Sequence, residues 1–126
     1  MKIYYTIKVL IIFIFCLPNV VSAQFNIVVT NAKLFPDSIS NNIFVAGNFN
    51  GWQPADSSTQ LFWVDGQLMV TIQVPATTKY LEYKFTCGSW AKGEVKINGA
   101  PQANRTKLYK PGMRVEEEIE SFAHIA

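Results

Sequence analysis

Residues able to do acid–base, nucleophilic or metal chemistry are few in this sequence. The single histidine, His124, stands close to the carboxyl end, with no second base and no metal-ligand spacing beside it. It is expected to lie in a frayed tail, residues 124–126. Cys87-Gly88-Ser89-Trp90 offers a thiol, but a nucleophilic thiol needs a histidine held against it, so Cys87 is read as a thiol at a strand end. Glu116, Glu117, Glu118 and Glu120 contain the carboxylates that a glycosidase would need. Such a pair must converge across a cleft at about 5 or about 6.5–9.5 Å, whereas neighbours on one strand alternate faces. They are expected to form a solvated edge strand whose charges discourage edge-to-edge pairing. Asn104-Arg105-Thr106 is formally an N-glycosylation acceptor. The expectation is therefore a protein without catalytic residues, metal or cofactor.

The chain of 126 residues is 49% hydrophobic and 16% charged, which suits one globular domain and excludes a multidomain enzyme. Lys2 and Lys8 precede or open an apolar run from Val9 to Leu17, followed by Pro18 and by Val21-Ser22-Ala23. This pattern reads as a secretory signal peptide over residues 1–23, because nine apolar residues are too short to cross roughly 30 Å of hydrocarbon. A secreted or periplasmic protein starting at Gln24 is expected, with no membrane partner after cleavage. Without Lys2 and Lys8, 9 of the 11 basic residues remain against 9 acidic ones, and they are scattered. A nucleic-acid partner needs clustered cations and is set aside. Cys16 leaves with the signal, so Cys87 has no internal disulfide partner and stability must come from packing.

The elements that must position any site are strands. Leu61 to Val64 and Gln67 to Val74 flank Asp65-Gly66, the dipeptide of a type I′ hairpin turn. A two-residue loop pairs Val64 with Gln67, Trp63 with Leu68 and Leu61 with Val70. Leu61, Trp63, Leu68, Val70, Ile72 and Val74 then share a core face. Leu81 to Thr86 alternates so that Leu81, Tyr83 and Phe85 face inward and Glu82, Lys84 and Thr86 outward. Further strands are expected over Phe25 to Thr30, Ile43 to Ala46, Glu94 to Ile97, Thr106 to Tyr109 and Arg114 to Ile119, with no amphipathic helix. Seven to eight short strands with frequent turns predict an all-β, immunoglobulin-like antiparallel β-sandwich over residues 24–123.

The stretch Ile43-Phe44-Val45-Ala46-Gly47-Asn48-Phe49-Asn50-Gly51-Trp52-Gln53-Pro54 runs a strand into a turn ending on tryptophan. It resembles the Gly-x-Phe-Asn-x-Trp signature of carbohydrate-binding module family 48, the glycogen-binding domain of AMP-activated protein kinase beta subunits and of α-glucan-processing enzymes. Glu82-Tyr83-Lys84-Phe85 is similar to the second signature of that family, and Trp90 and Asn104 follow in its order. Starch-binding family 20 is related, but its stacking aromatics would fall on Leu68 and Gly99. The resemblance spans roughly Ile43 to Tyr109 and implies non-catalytic binding of glycogen, starch or malto-oligosaccharides through Trp52, Lys84, Trp90 and Asn104. It also allows a separate glycosidase or esterase as partner, the chain having no room for such a domain. A structural or protein-interaction module of the same fold is the alternative, since fold does not fix function.

The implied chemistry is physically coherent. A glucose ring is polar at its rim and apolar on its C–H faces, so Trp52 and Trp90 suit it as flat plates, while Lys84 and Asn104 suit its hydroxyls. Stacking that buries about 100 Å² contributes at most roughly 2.5 kcal/mol per ring, which after association costs corresponds to micromolar to millimolar affinity.

Overall fold

The computed structural model describes residues Ala23–Ile125, so the expected signal peptide lies outside the described residues apart from Ala23. Among the described residues nine strands form: β1 (Gln24–Val29), β2 (Phe44–Gly47), β3 (Phe62–Val64), β4 (Gln67–Gln73), β5 (Tyr80–Thr86), β6 (Glu94–Val95), β7 (Arg105–Leu108), β8 (Arg114–Glu117) and β9 (Ser121–Phe122). A 3-10 turn (Ala32–Leu34) and a one-turn α-helix, α1 (Asp37–Ser40), lie between β1 and β2. One sheet has the order β3-β4-β1-β8, a second β2-β5-β7, and β6 pairs with β9 as a third. The first two supply a common interior from Phe25, Ile27, Leu68, Val70, Ile72 and Val115 on one side and Val45, Leu81, Tyr83 and Phe85 on the other. The protein is an all-β sandwich.

Alternation and turn chemistry account for most of these elements. β4 reads exposed and buried by turns, with Leu68, Val70 and Ile72 inward and Gln67, Thr71 and Gln73 outward. Asp65 and Gly66 take φ of 49° and 79°, the left-handed pair that a type I′ turn requires. The turn fixes the register Val64↔Gln67, Trp63↔Leu68 and Phe62↔Met69, as the sequence predicts.

Four expectations need correction. The sandwich is not wholly antiparallel, because β1 pairs in parallel with β8; the long connection between them leaves room for the crossover that a parallel pair demands. Trp63 is not in the core: it is 37% exposed, and its indole N–H donates to Asn41 Oδ1 at 3.0 Å. Its ring is on the same side of the hairpin as Leu68, but β3 is the edge strand. Glu117 is not solvated, being 7% exposed, although Glu116, Glu118 and Glu120 are exposed as expected. Finally, packing does not end at residue 123, since Ile125 packs against the core and the Ala123 N–H donates to Gly93 O.

Glu117 belongs to a buried ionic cluster centred on Arg105, at the start of β7. The guanidinium donates to both oxygens of Glu94 at 3.1 and 2.9 Å, to Glu117 Oε2 at 2.5 Å and to Glu118 O at 2.8 Å. It also lies over the Phe85 ring, 5.3 Å from the centroid. Burial opposes the Arg105 charge, but bonds and charges from Glu94 and Glu117 outweigh it and raise the pKa further. One side chain thus ties β7 to β6 and β8, joining all three sheets.

Candidate functional site

β5 is the backbone of the site. Leu81, Tyr83 and Phe85 are fully buried, which turns Tyr80, Glu82, Lys84 and Thr86 to the outer side. Lys84 pairs with Ala46 across to β2. On the other flank the ladder runs Tyr80↔Leu108, Leu81↔Lys107, Glu82↔Thr106 and ends at Tyr83↔Arg105, with exposed Asn104 the chain residue just past that end, as Lys84 is on β5. Alternation continued one residue past the ladder turns Asn104 to the side that Lys84 faces.

The loop after β2 carries Trp52. Gly47 admits no side chain, because a Cβ there would stand 2.4 Å from Glu82 O and 2.6 Å from the Phe49 ring. Asn50 then organises the turn. Its Oδ1 accepts from the N–H groups of Gly47 at 3.0 Å and Gln53 at 3.3 Å, and its Nδ2 donates to Val45 O, Gln53 O and Thr59 Oγ1, each at 3.2 Å. This clamp, with the Trp52 N–H bonded to Gly47 O at 3.0 Å, holds Trp52 at φ 59°. A bulky residue rarely adopts that left-handed conformation and does so only where its surroundings impose it. Downstream, Thr86 Oγ1 donates to Pro54 O at 2.5 Å. That bond lays the loop over the outer side of β5. Asp56 closes the loop by accepting from the Ser58 hydroxyl and N–H, which hold its carboxyl below the usual range.

Trp90 arrives from the opposite direction. The Cys87 N–H bonds to Lys92 O at 2.9 Å, and the one-turn 3-10 helix Trp90–Lys92 reverses the chain beyond β5. Trp90 is 45% exposed, and its ring lies 6.4 Å from that of Trp52 at an interplanar angle of 39°. The structure therefore joins Trp52 to Trp90 and leaves Asn104 next in chain to the Arg105 end of the β5–β7 ladder, beside the level of Lys84. Among the described residues neither Lys84 nor Asn104 has a side-chain hydrogen bond or ion pair.

A cleft of about 690 Å³ is lined by Phe44, Ala55, Cys87, Lys92 and His124, among others. Although Cys87 and His124 share it, burial pushes the thiol up to about 11, away from the thiolate that nucleophilic attack needs. No cluster of metal-ligating side chains occurs among the described residues, nor any helix long and apolar enough to cross a membrane. Asn50 lies inside the Gly-x-Phe-Asn-x-Trp stretch, and an Asn-Gly pair directly before a tryptophan is the signal in the sequence for such a side-chain-clamped turn. No protein-family model, curated protein or solved structure matches the chain.

Proposed function

We propose that the protein is a non-catalytic, exported module of immunoglobulin-like type that binds α-glucan. The observation that carries this reading is the pair of aromatic rings, Trp52 and Trp90, held 6.4 Å apart, with Lys84 on the outer side of β5 and Asn104 past the end of β7 both uncommitted. Two tilted plates present apolar area to the C–H faces of a glucan, and an ammonium and a carboxamide supply donors and an acceptor for the hydroxyls at its rim. The strain at Trp52 supports the same reading, since backbone strain collects at ligand sites. The protonated Cys87 thiol argues against nucleophilic catalysis in the adjacent cleft. The family 48 resemblance adds the order of these four residues along the chain.

A protein-interaction module is the second reading, favoured by the exposed edge strand, where Phe62 is 57% and Val64 47% accessible. Electrophoresis in native gels containing glycogen, amylopectin, xylan or no polysaccharide separates the two. Retardation by glycogen and amylopectin alone is expected. Equal mobility in all four gels overturns glucan binding and leaves the edge strand as the functional surface.

A further inference from the structure

The outer face of β5 and β7 continues past Lys84 and Asn104. The next cross-strand pair on that side is Glu82 with Thr106, and the one after is Tyr80 with Leu108. Tyr80 is 60% and Leu108 59% exposed, a large aromatic and an aliphatic side chain set opposite each other in a ladder with nothing over them among the described residues. At about 3.4 Å per residue, Tyr80 lies roughly 14 Å beyond Lys84 along the strand; Thr86 is fully buried under the Pro54 loop, so the open strip runs from Lys84 to Tyr80. The tryptophan pair thus stands past its Lys84 end and Tyr80 with Leu108 at the other, with hydroxyl-binding groups between them.

The far end is also stiff. Asn48 prolongs the pairing of β2 beyond Gly47: its N–H donates to Glu82 O at 3.0 Å, its Oδ1 accepts from the Glu82 N–H at 3.3 Å, and its Nδ2 donates to Tyr80 O at 3.0 Å. The β5 backbone under Tyr80 and Glu82 is therefore bonded on both flanks, to Asn48 and to β7. Lys84 and Glu82 offset each other's charge, so the strip is close to neutral and suits an uncharged chain better than an acidic or basic peptide.

We infer that Tyr80 and Leu108 form a second sugar station, in line with the tryptophan pair, that takes the distal residues of one α-glucan chain. The station rests on the α-glucan reading and deepens it: the ligand is an oligosaccharide long enough to span the strip, and a short one reaches the tryptophan end alone. Two weak contacts on a single chain act together because the second forms within an existing complex.

Calorimetric titration with maltotriose and with maltoheptaose, on wild type, Tyr80→Ala and Tyr80→Phe, tests the station. Wild type is expected to bind maltoheptaose about fivefold or more tightly than maltotriose. Tyr80→Ala should remove that gain, leave maltotriose affinity within about twofold and keep the melting temperature, while Tyr80→Phe keeps the gain. Unchanged maltoheptaose affinity in Tyr80→Ala overturns the station and leaves the tryptophan site standing. An equal loss for both ligands also overturns it, because Tyr80 would then act through the tryptophan end. Failure of wild type to bind either sugar overturns the α-glucan reading itself, and the station with it.

Discussion

Arg105 and Asn104 are neighbours in the chain and opposites in setting. Arg105 points into the sandwich, where its guanidinium meets two carboxylates, a carbonyl and an aromatic face. Asn104 points outward and is exposed, without a partner among the described residues. One step along a strand therefore separates a polar group whose bonding capacity is spent on the fold from one whose capacity is open to a ligand. Both residues are hydrophilic, and hydrophilicity alone would have placed both at the surface. Partner accounting tells structural polar groups from candidate recognition groups.

The largest effect that sharpens this contrast is expected from Arg105→Leu. It strands Glu94, which is 2% exposed, and leaves the 7%-exposed Glu117 only its longer pair with Lys107 at 3.8 Å, and uncompensated buried charge costs about 3–5 kcal/mol. Denaturant midpoints should show that loss, whereas Asn104→Ala should shift stability by no more than about 0.5 kcal/mol and weaken glycogen binding several-fold. A greater stability loss from Asn104→Ala than from Arg105→Leu would break the comparison.

The tryptophans extend it at intermediate size. Trp63→Ala removes a partly exposed ring and one hydrogen bond, so about 1–2 kcal/mol is expected, below the roughly 3–5 kcal/mol of a fully buried aromatic, with glucan affinity unchanged. Trp52→Ala and Trp90→Ala should each cost no more than about 1 kcal/mol while lowering affinity about tenfold or more, as read by glucan titration beside chemical denaturation. Sugar binding lost in Trp63→Ala alone would move the site to the hairpin.

The smallest effect concerns Cys87. Its thiol is raised from an ordinary 9.0 to about 11, first by burial and against a lowering pull from Lys92. The folded state thus favours the neutral thiol. Its contribution to stability is complete below about pH 9 and is lost as pH rises through about 11. Alkylation by iodoacetamide should accordingly be slow at pH 8, where roughly a thousandth of the thiol is ionised, and should accelerate through pH 10–11. Rapid modification at pH 7 would show a reactive cysteine in the cleft.

The elements most legible in the sequence were those governed by local rules. Asp65-Gly66 dictated the hairpin register because a two-residue turn admits one pairing, and β5 could be read from a strict period of two. The outward placement of Lys84 followed from that period. Trp63 escaped because alternation tells which side of a sheet a residue faces and nothing about how far the opposing layer reaches over an edge strand. Glu117 escaped for a different reason. Val115, Glu117 and Ile119 share one parity and all three are buried, so its inward direction was visible, but the cation that makes burial tolerable sits twelve positions upstream on another sheet. The meeting of Trp52 and Trp90 likewise depends on two loops folding toward each other, beyond the range of any local pattern.

The place of β1 also bears on the order of assembly. The first described strand occupies an interior position of the four-stranded sheet, and one of its flanks is completed by β8, with hydrogen bonds joining residues 87 and 88 positions apart. A ribosome must deliver nearly the whole domain before that flank can close. Until then β1 has β4 on one edge and an open edge on the other, a template for pairing with another chain. Contacts of such long sequence separation fold slowly. Refolding yield is therefore expected to fall as protein concentration rises, since that edge stays open until β8 arrives.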